Sequence, residues 1–461
     1  MTTPIYDTVI RNGALGASSG LAEGDIAIKD GRIAALGLGL GRGAHEIDAQ
    51  GRVVLPGGVD THCHIEQMSG AGVMNADTFE TATRSALWGG TTTTVSFAAQ
   101  HPGHRIGAVL DDYRKLAEKG AMTDHAFHMI VADTSGENMD DLGRAIEAGN
   151  RSIKIFTTYD KVRLADPEIL ATMRVAHENG ALVCVHAEND AMIREATARL
   201  IAEGRTAPRD HADSHPRQAE LEAIERMCRF SEHTGQRLMI FHVSTQEGVQ
   251  IIRAARARGV PVHAETCTHY LFQTREILDR ADGAKFLCSP PQREQADQDA
   301  LWVALGRDEL ELVTSDHAPY RMDETGKFIH GADAPFNRIA NGQPGLELRL
   351  PLLFDAMVSK GRLGLARFVE VTASAPARIF GLKGKGAIAV GMDADLVLWD
   401  PEREHVLPEA LHDNVGYNPF AGTRLRGYPE TVLRRGEVVI AAERLNAEPG
   451  SGRWVEMRKP T

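Results

Sequence analysis

No two cysteines of this 461-residue chain stand at Cys-x-x-Cys spacing, and the five present, Cys63, Cys184, Cys228, Cys267 and Cys288, are scattered and odd in number. That excludes a disulfide framework and a thiolate zinc site. Cys63, Cys184 and Cys267 lie inside apolar runs, where small buried thiols are common. The pattern suits a reducing compartment. Long apolar stretches are also missing: none approaches the length of a membrane span. The start, Met1-Thr-Thr-Pro-Ile-Tyr-Asp7, has neither the basic opening nor the apolar core of a signal peptide. The expectation is a cytoplasmic protein with no membrane partner. Nor is there an excess of positive charge. A net charge of −12 argues against binding nucleic acid or anionic lipid and supports solubility. A glycine-rich turn that opens a helix after an early strand, as a dinucleotide-binding open sheet requires, is absent too. The glycine run at residues 37–43 sits between hairpin strands and reads as a loop.

What is present is an ordinary globular composition, 43% hydrophobic and 25% charged. The chain is too long for one simple core and suits a large barrel with appendages. Asp30-Gly31, between two alternating runs, signals a β-hairpin near the start. Short strands with a Gly turn recur near residues 394–399 and 431–439. Both ends therefore read as halves of one β-domain, with residues 1–54 and 383–461 flanking an inserted catalytic domain at 55–382. Within the insert, strand-like runs at 53–60, 91–97, 126–131, 152–156, 181–186, 237–242, 260–265 and 310–316 alternate with helical patterns. Asp166 as N-cap, Pro167 at the first helical position and Gly180 at the close mark one such helix. Helical spacing also runs over 216–234 and 246–259. Eight β/α units predict a closed (β/α)8 barrel of the TIM type.

In that fold, chemistry collects at the carboxyl ends of the strands. The first run ends in His62-Cys63-His64, whose imidazoles are two apart and share one face of a strand. The fourth carries Lys154 between Ile153 and Ile155; the fifth ends in His186, the sixth in His242, and the eighth in Asp316. Singly, each has a plain alternative: an ion-paired lysine, hydrogen-bonded core histidines, a helix-capping aspartate. Gathered at one mouth, four histidines and a carboxylate are the inventory for one or two divalent metals. A lysine there is no ligand as an ammonium, but burial favours its neutral amine, which can combine with carbon dioxide to give a carbamate. Further histidines are assigned to supporting or solvated roles: His101 and His104 in a loop, His263 with Glu265 on the seventh strand, His317 beside Asp316, and His211 and His215 before a helix.

These residues carry a broader pattern. Leu55-Pro-Gly-Gly-Val-Asp-Thr-His-Cys-His64, Gly89-Gly-Thr-Thr-Thr93, Ile153-Lys-Ile-Phe-Thr-Thr-Tyr159, Val185-His-Ala-Glu-Asn189, His242-Val-Ser244, Ala264-Glu-Thr-Cys-Thr-His-Tyr-Leu271, Cys288-Ser-Pro-Pro291, Ser315-Asp-His-Ala-Pro319 and Ala340-Asn-Gly-Gln-Pro-Gly-Leu-Glu347 occur in this order. Over most of its length the chain resembles the dihydropyrimidinase/hydantoinase branch of the amidohydrolase superfamily. The resemblance implies a (β/α)8 barrel with a β-sandwich built from both chain ends, a homotetramer, and two divalent metal ions, Zn2+ by type. It implies that His62, His64 and Asp316 hold one ion and that His186 and His242 hold the other. Lys154 is then the N6-carboxylated lysine that bridges them. It further implies that Tyr159 hydrogen-bonds the substrate carbonyl, and that the backbone at Ser289 and Asn341 holds the ring amide.

The activity implied is hydrolytic opening of a cyclic amide, such as a dihydropyrimidine, hydantoin or related ureide or imide. A hydroxide bridging the metals attacks, and Asp316 moves the proton. The product is an N-carbamoyl or amide acid. Allantoinase and cyclic imide hydrolase are the neighbouring alternatives; a non-catalytic scaffold is a further one, opposed by the complete ligand set. Two departures bear on substrate. Relatives that hydrolyse dihydroorotate carry an arginine two residues after His-x-His, where this chain has Glu66, which disfavours a carboxylated ring. The following stretch, Gln67-Met-Ser-Gly-Ala-Gly-Val-Met74, replaces the Met-Pro-Phe type of loop usual in hydantoinases. Loops 66–78 and 159–165 are read as walls or lids over the ring substituent, with Gly70 and Gly72 permitting movement.

Overall fold

The computed structural model of the protein describes residues 4–69 and 72–459. Eight parallel strands follow one another in chain order: Gly58–Cys63, Thr91–Ala99, Asp124–Ile130, Ser152–Phe156, Leu182–His186, Leu238–Ile240, Val262–Cys267 and Leu312–Thr314. Helices such as Phe79–Trp88, Ile106–Gly120, Asp166–Asn179, Arg217–Thr234 and Gln246–Ala257 return the chain between strands, as parallel pairing demands. The last strand meets the first where His64 N donates to His317 O at 2.7 Å, beside a parallel bridge between Cys63 and His317. This is the expected (β/α)8 barrel. A second, nine-stranded sheet takes strands from both ends of the chain, with Val53–Pro56 beside Leu396–Val406 at its centre. Among the described residues, no helix is long and apolar enough to cross a membrane.

Alternation explains which side chains enter the barrel. Val95 and Phe97, Leu182 and Cys184, and Met239 and Phe241 pack together inside it. Ile153, Ile155, Val183 and Val185 face the other way, into the layer shared with the helices. Lys154, between two outward isoleucines, is thereby turned inward and is 1% exposed. The floor is closed by the far end of the chain. His125 N donates to Arg453 O at 2.9 Å, Val455 N to His125 O at 2.8 Å and Met457 N to Gly149 O at 3.0 Å. Val455 and Met457 complete the inner apolar cluster with Phe380 and Leu382. Beside this floor, buried Lys385 holds Asp395 at 2.8 Å and Asp393 at 3.0 Å, and also reaches Asp124 at the start of the third strand. The two sheets are thus joined by charge as well as by apolar contact.

Several boundaries differ from those expected. The run 53–60 is two strands, not one: Val53–Pro56 belongs to the outer sheet and Gly58–Cys63 to the barrel. Gly57 is where the chain passes between them, and a side chain there would run into Thr92. The sixth and eighth strands stop short of His242 and Asp316, because those residues turn to φ values of 43° and 46°, incompatible with an extended ladder. Asp166 lies inside its helix; the N-cap is Ala165, whose N–H is taken by Glu168 Oε2 at 2.7 Å. Gly180 does close that helix, at φ 68°. Asp30 and Gly31 form the expected hairpin turn, at φ 51° and 75°.

Beneath the mouth lies an ion pair, Arg349 Nε–Asp60 Oδ2 at 3.3 Å, with both side chains at 0% exposure. Asp60 Oδ1 also accepts from His62 N at 3.1 Å and Ser315 N at 3.4 Å, so one carboxylate ties the first strand to the last. Arg349 Nη1 donates to Val313 O at 3.1 Å and Nη2 to Thr91 Oγ1 at 3.2 Å. Removing one partner of such a pair strands the other as a buried charge. Arg349→Met is expected to lower stability by about 3 to 5 kcal/mol, read from the urea midpoint; an unchanged midpoint would show that the pair carries no such weight.

Candidate active site

Each expected ligand stands at or just past a strand end, except Lys154 in the middle of Ser152–Phe156, and the barrel brings them to one mouth. His62 Nε2 lies 3.1 Å and His64 Nε2 3.4 Å from Asp316 Oδ1. The three offer donor atoms all within 4.8 Å of one another. The His186 and His242 rings are 4.5 Å apart, and His242 is 5.5 Å from His62. Lys154 lies among them with its Nζ over Phe241 at 4.1 Å and Phe156 at 4.9 Å. Phe241 in turn lies 4.2 Å from the His62 ring. Tyr159 stands 5.0 Å from His186, ring to ring. Ser289 and Asn341, from separate loops, meet where Asn341 Nδ2 donates to Ser289 Oγ at 3.1 Å.

The residues around the ligands aim them. His62 Nδ1 is taken by Glu265, leaving Nε2 toward Asp316. His64 Nδ1 is paired with Gln67 Oε1 at 2.7 Å, again leaving Nε2 free to face inward. His186 does the reverse: Nε2 donates to Glu188 Oε2 at 2.8 Å, which leaves Nδ1. Glu188 is itself held by His215 Nδ1 at 2.9 Å. Imidazoles with one nitrogen fixed by a carboxylate and the other directed at a common point are the usual preparation for a metal ion. Glu265 Oε2 and Asn341 Oδ1 are buried without a partner among the described residues. The donor set of imidazole and carboxylate fits divalent transition metals.

Burial sets the charge states. Desolvation first, then Lys154 and neighbouring histidines, holds His62 well below the ordinary imidazole range. His242 is pushed down by burial, then by His186 and Lys154. Burial likewise lowers His186 against the opposing pull of Glu188. Neutral imidazoles are the form that ligates. Burial pulls Lys154 down to about 8, so neutral amine is accessible near neutrality. Burial raises the Tyr159 phenol, with Glu188 adding and the Ser289 hydroxyl opposing, so Tyr159 keeps its proton.

Four non-glycine residues at or beside the mouth have left-handed backbone. Tyr159 at φ 74°, His242 at 43°, Asp316 at 46° and Glu66 at 51° all occupy the left-handed region, which bulky L-residues adopt only where surroundings impose it. The Glu66 carboxylate accepts from Phe79 N at 3.1 Å. It caps the helix Phe79–Trp88 at its positive end. Across the loop that follows, Met68 bridges Met74, and Gln67 N donates to Asn75 Oδ1 at 3.1 Å. Gly72 has φ 83°, while Gly70 lies outside the described residues.

The other histidines sort cleanly. His317 uses both nitrogens, donating to Asp77 Oδ2 at 3.0 Å and accepting from Gly345 N at 3.1 Å, so it braces loops. His263 pairs with Glu311 at 2.7 Å, and His101 packs 6.3 Å from His104 in a loop. His211 and His215 do precede the helix Arg217–Thr234, but they also serve the site: His215 through Glu188, His211 by donating to Cys288 O at 2.8 Å, next to Ser289. Sequence reasoning left Glu188 without a role. Its place two residues after His186, on a strand end, was the available signal.

Residues 53–439 match the amidohydrolase family. The chain is 41% identical over 459 residues to a D-hydantoinase of Streptomyces coelicolor, covering 97% of each chain. It is 39% identical over 458 residues to a D-hydantoinase of Ralstonia pickettii, covering 98% of this chain and 99% of the relative. The crystal structure of a dihydropyrimidinase from Brevibacillus agri superposes with a TM-score of 0.95 at 36% identity, over 98% of this chain and 99% of that one.

Replacing the carboxylate behind His62 tests the aiming of that ligand. Glu265→Gln is expected to weaken metal binding by about 10- to 100-fold, measured by competition with a chelator; unchanged affinity would remove Glu265 from that role.

Proposed function

The chain belongs to the amidohydrolase family, and we propose that it hydrolyses the endocyclic amide bond of a five- or six-membered ureide of the hydantoin or dihydropyrimidine type. One observation carries this reading: His62, His64, Lys154, His186, His242 and Asp316, from five different β/α units, converge at one mouth, with the imidazoles of His62, His64 and His186 already aimed by a bond to their other nitrogen. His62, His64 and Asp316 would hold one divalent ion and His186 and His242 the second, with carboxylated Lys154 between. Such ions, zinc by the family's habit, supply Lewis acidity and lower the pKa of a coordinated water from about 15.7 to about 7.

The chain's own groups do the rest. Tyr159 keeps its proton and donates a hydrogen bond to the oxygen of the scissile carbonyl, where charge develops. Asp316 accepts the proton of the attacking water and returns it to the ring nitrogen as the C–N bond breaks. Water thereby adds across one bond: oxygen to the carbonyl carbon, hydrogen to nitrogen. A hydantoin or dihydropyrimidine gives an N-carbamoyl amino acid. The backbone at Ser289 and Asn341 grips the ring amide, and loops 66–78 and 159–165 wall the ring substituent. Glu66, turned to a helix end, offers no cation for a ring carboxylate. Family membership also supports a homotetramer working in the cytoplasm.

A panel of dihydrouracil, hydantoins, allantoin and cyclic imides, with metal content measured alongside, tests the reading: turnover is expected on the first two, and inactivity of the metal-loaded enzyme on every ring would overturn it. Asp316→Asn is expected to lower kcat by about 100- to 10,000-fold with some metal retained; near-normal turnover would remove Asp316 from proton transfer. Lys154→Ala is expected to lose metal and activity, with partial recovery on adding short-chain carboxylates. Full metal and full rate without them would make Lys154 structural.

A further inference from the structure

Lys327 is wholly buried and lies beyond the eighth strand, apart from the residues assigned to metal. Its Nζ donates to Ala340 O at 2.7 Å and to Gly342 O at 2.9 Å. Among the described residues no carboxylate faces it; its titratable neighbours are the Cys288 thiol and the His211 imidazole, neither of them an anion that would neutralise an ammonium. A buried amine with no counter-ion is an unfavourable choice for mere packing, since an aliphatic side chain of the same length would fill the space without desolvating a polar head. Burial pulls it down to about 7. Charged or neutral, it has hydrogens enough for two carbonyls.

Those two carbonyls flank Asn341. The same short loop is fastened on every other side: Gly342 N donates to Leu287 O at 2.7 Å, Gln343 Nε2 to Phe286 O at 3.1 Å, and Ala318 N to Gln343 O at 2.9 Å. It therefore lies between the segment that leads into Ser289 and the one that leaves Asp316. Gly342, at φ 142°, has no room for a side chain, because one would strike Ala318 O. With the carbonyls on either side of Asn341 both held by Lys327, the backbone of Asn341 is pinned from the residue before it and the residue after it.

We propose that Lys327 is a positioning residue: by holding the carbonyls of Ala340 and Gly342 it fixes the backbone of Asn341 as a rigid edge for the amide of the cyclic substrate. This rests on the ring-opening reading above. Lys327→Met keeps the length and removes the donors. With dihydrouracil and hydantoin, KM is expected to rise at least tenfold while kcat stays within threefold and metal content is unchanged. Hydrogen–deuterium exchange of residues 339–344 is expected to rise at least tenfold, with the barrel strands unaffected. A lower melting temperature with unchanged KM would make Lys327 structural and overturn the proposal, as would unchanged loop exchange. Should Lys327→Met not fold, Lys327→Gln, which keeps a shorter donor, is read in the same assays, with a smaller rise in KM expected and no rise overturning the proposal. A metal-loaded wild type that opens no ring overturns the ring-opening reading instead; loop exchange in the variant then decides whether Lys327 fixes the loop.

Discussion

The seam between the first and last barrel strands is the constraint on which the site depends. Asp60 takes the amides of His62 and Ser315, Arg349 neutralises it from behind, and His64 N bonds to His317 O. Three candidate ligand positions, His62, His64 and Asp316, thereby have their main chain fixed relative to one another. The left-handed turn at Asp316 follows from the same seam. The strand ends, and the carboxylate is bent back over the two imidazoles. A cost in backbone strain becomes a fixed ligand direction.

Desolvation then decides what those groups are. Among the described residues, Lys154 has the rings of Phe97, Phe156 and Phe241 around its head and no carboxylate within ion-pair distance, and burial lowers it enough to bring the neutral amine within reach near neutrality. The imidazoles are kept neutral for the same reason. Glu265 is pushed the other way: burial raises it well above the usual carboxylate range, with Lys154 opposing. An assembly of this kind is incomplete by itself. The imidazole nitrogens left free to face one common point would be satisfied by bound cations, and metal binding would then offset the desolvation of the cluster.

The convergence of the candidate ligands was legible in the sequence because barrel topology turns a linear pattern into a place: residues at the carboxyl ends of the barrel strands must meet. His186, Lys154 and Asp316 needed only alternation and strand order to be put there. The groups behind them were not legible in the same way. Glu188 and His215 act as a pair across a helix start, and Lys327 reaches a loop from another loop; neither period 2 nor period 3.6 records such meetings. Local chemistry also misled at two boundaries. Pro56-Gly57-Gly58 looks like part of one strand until a second sheet claims Val53–Pro56, and Asp166 resembles an N-cap until Glu168 is seen to take the free amide.

The closure of the barrel floor by Val455 and Met457 has a bearing on how the chain reaches its native state. These residues seal an interior whose first strand begins at Gly58, nearly four hundred positions earlier in synthesis. The strand Leu396–Val406 is late as well, and it pairs with Val53–Pro56. A nascent chain with seven or eight strands already outside the ribosome therefore still has an open floor and an unpaired early strand edge. The vulnerable interval for aggregation is the last stage of translation, when most of the barrel is made and its two closures are not.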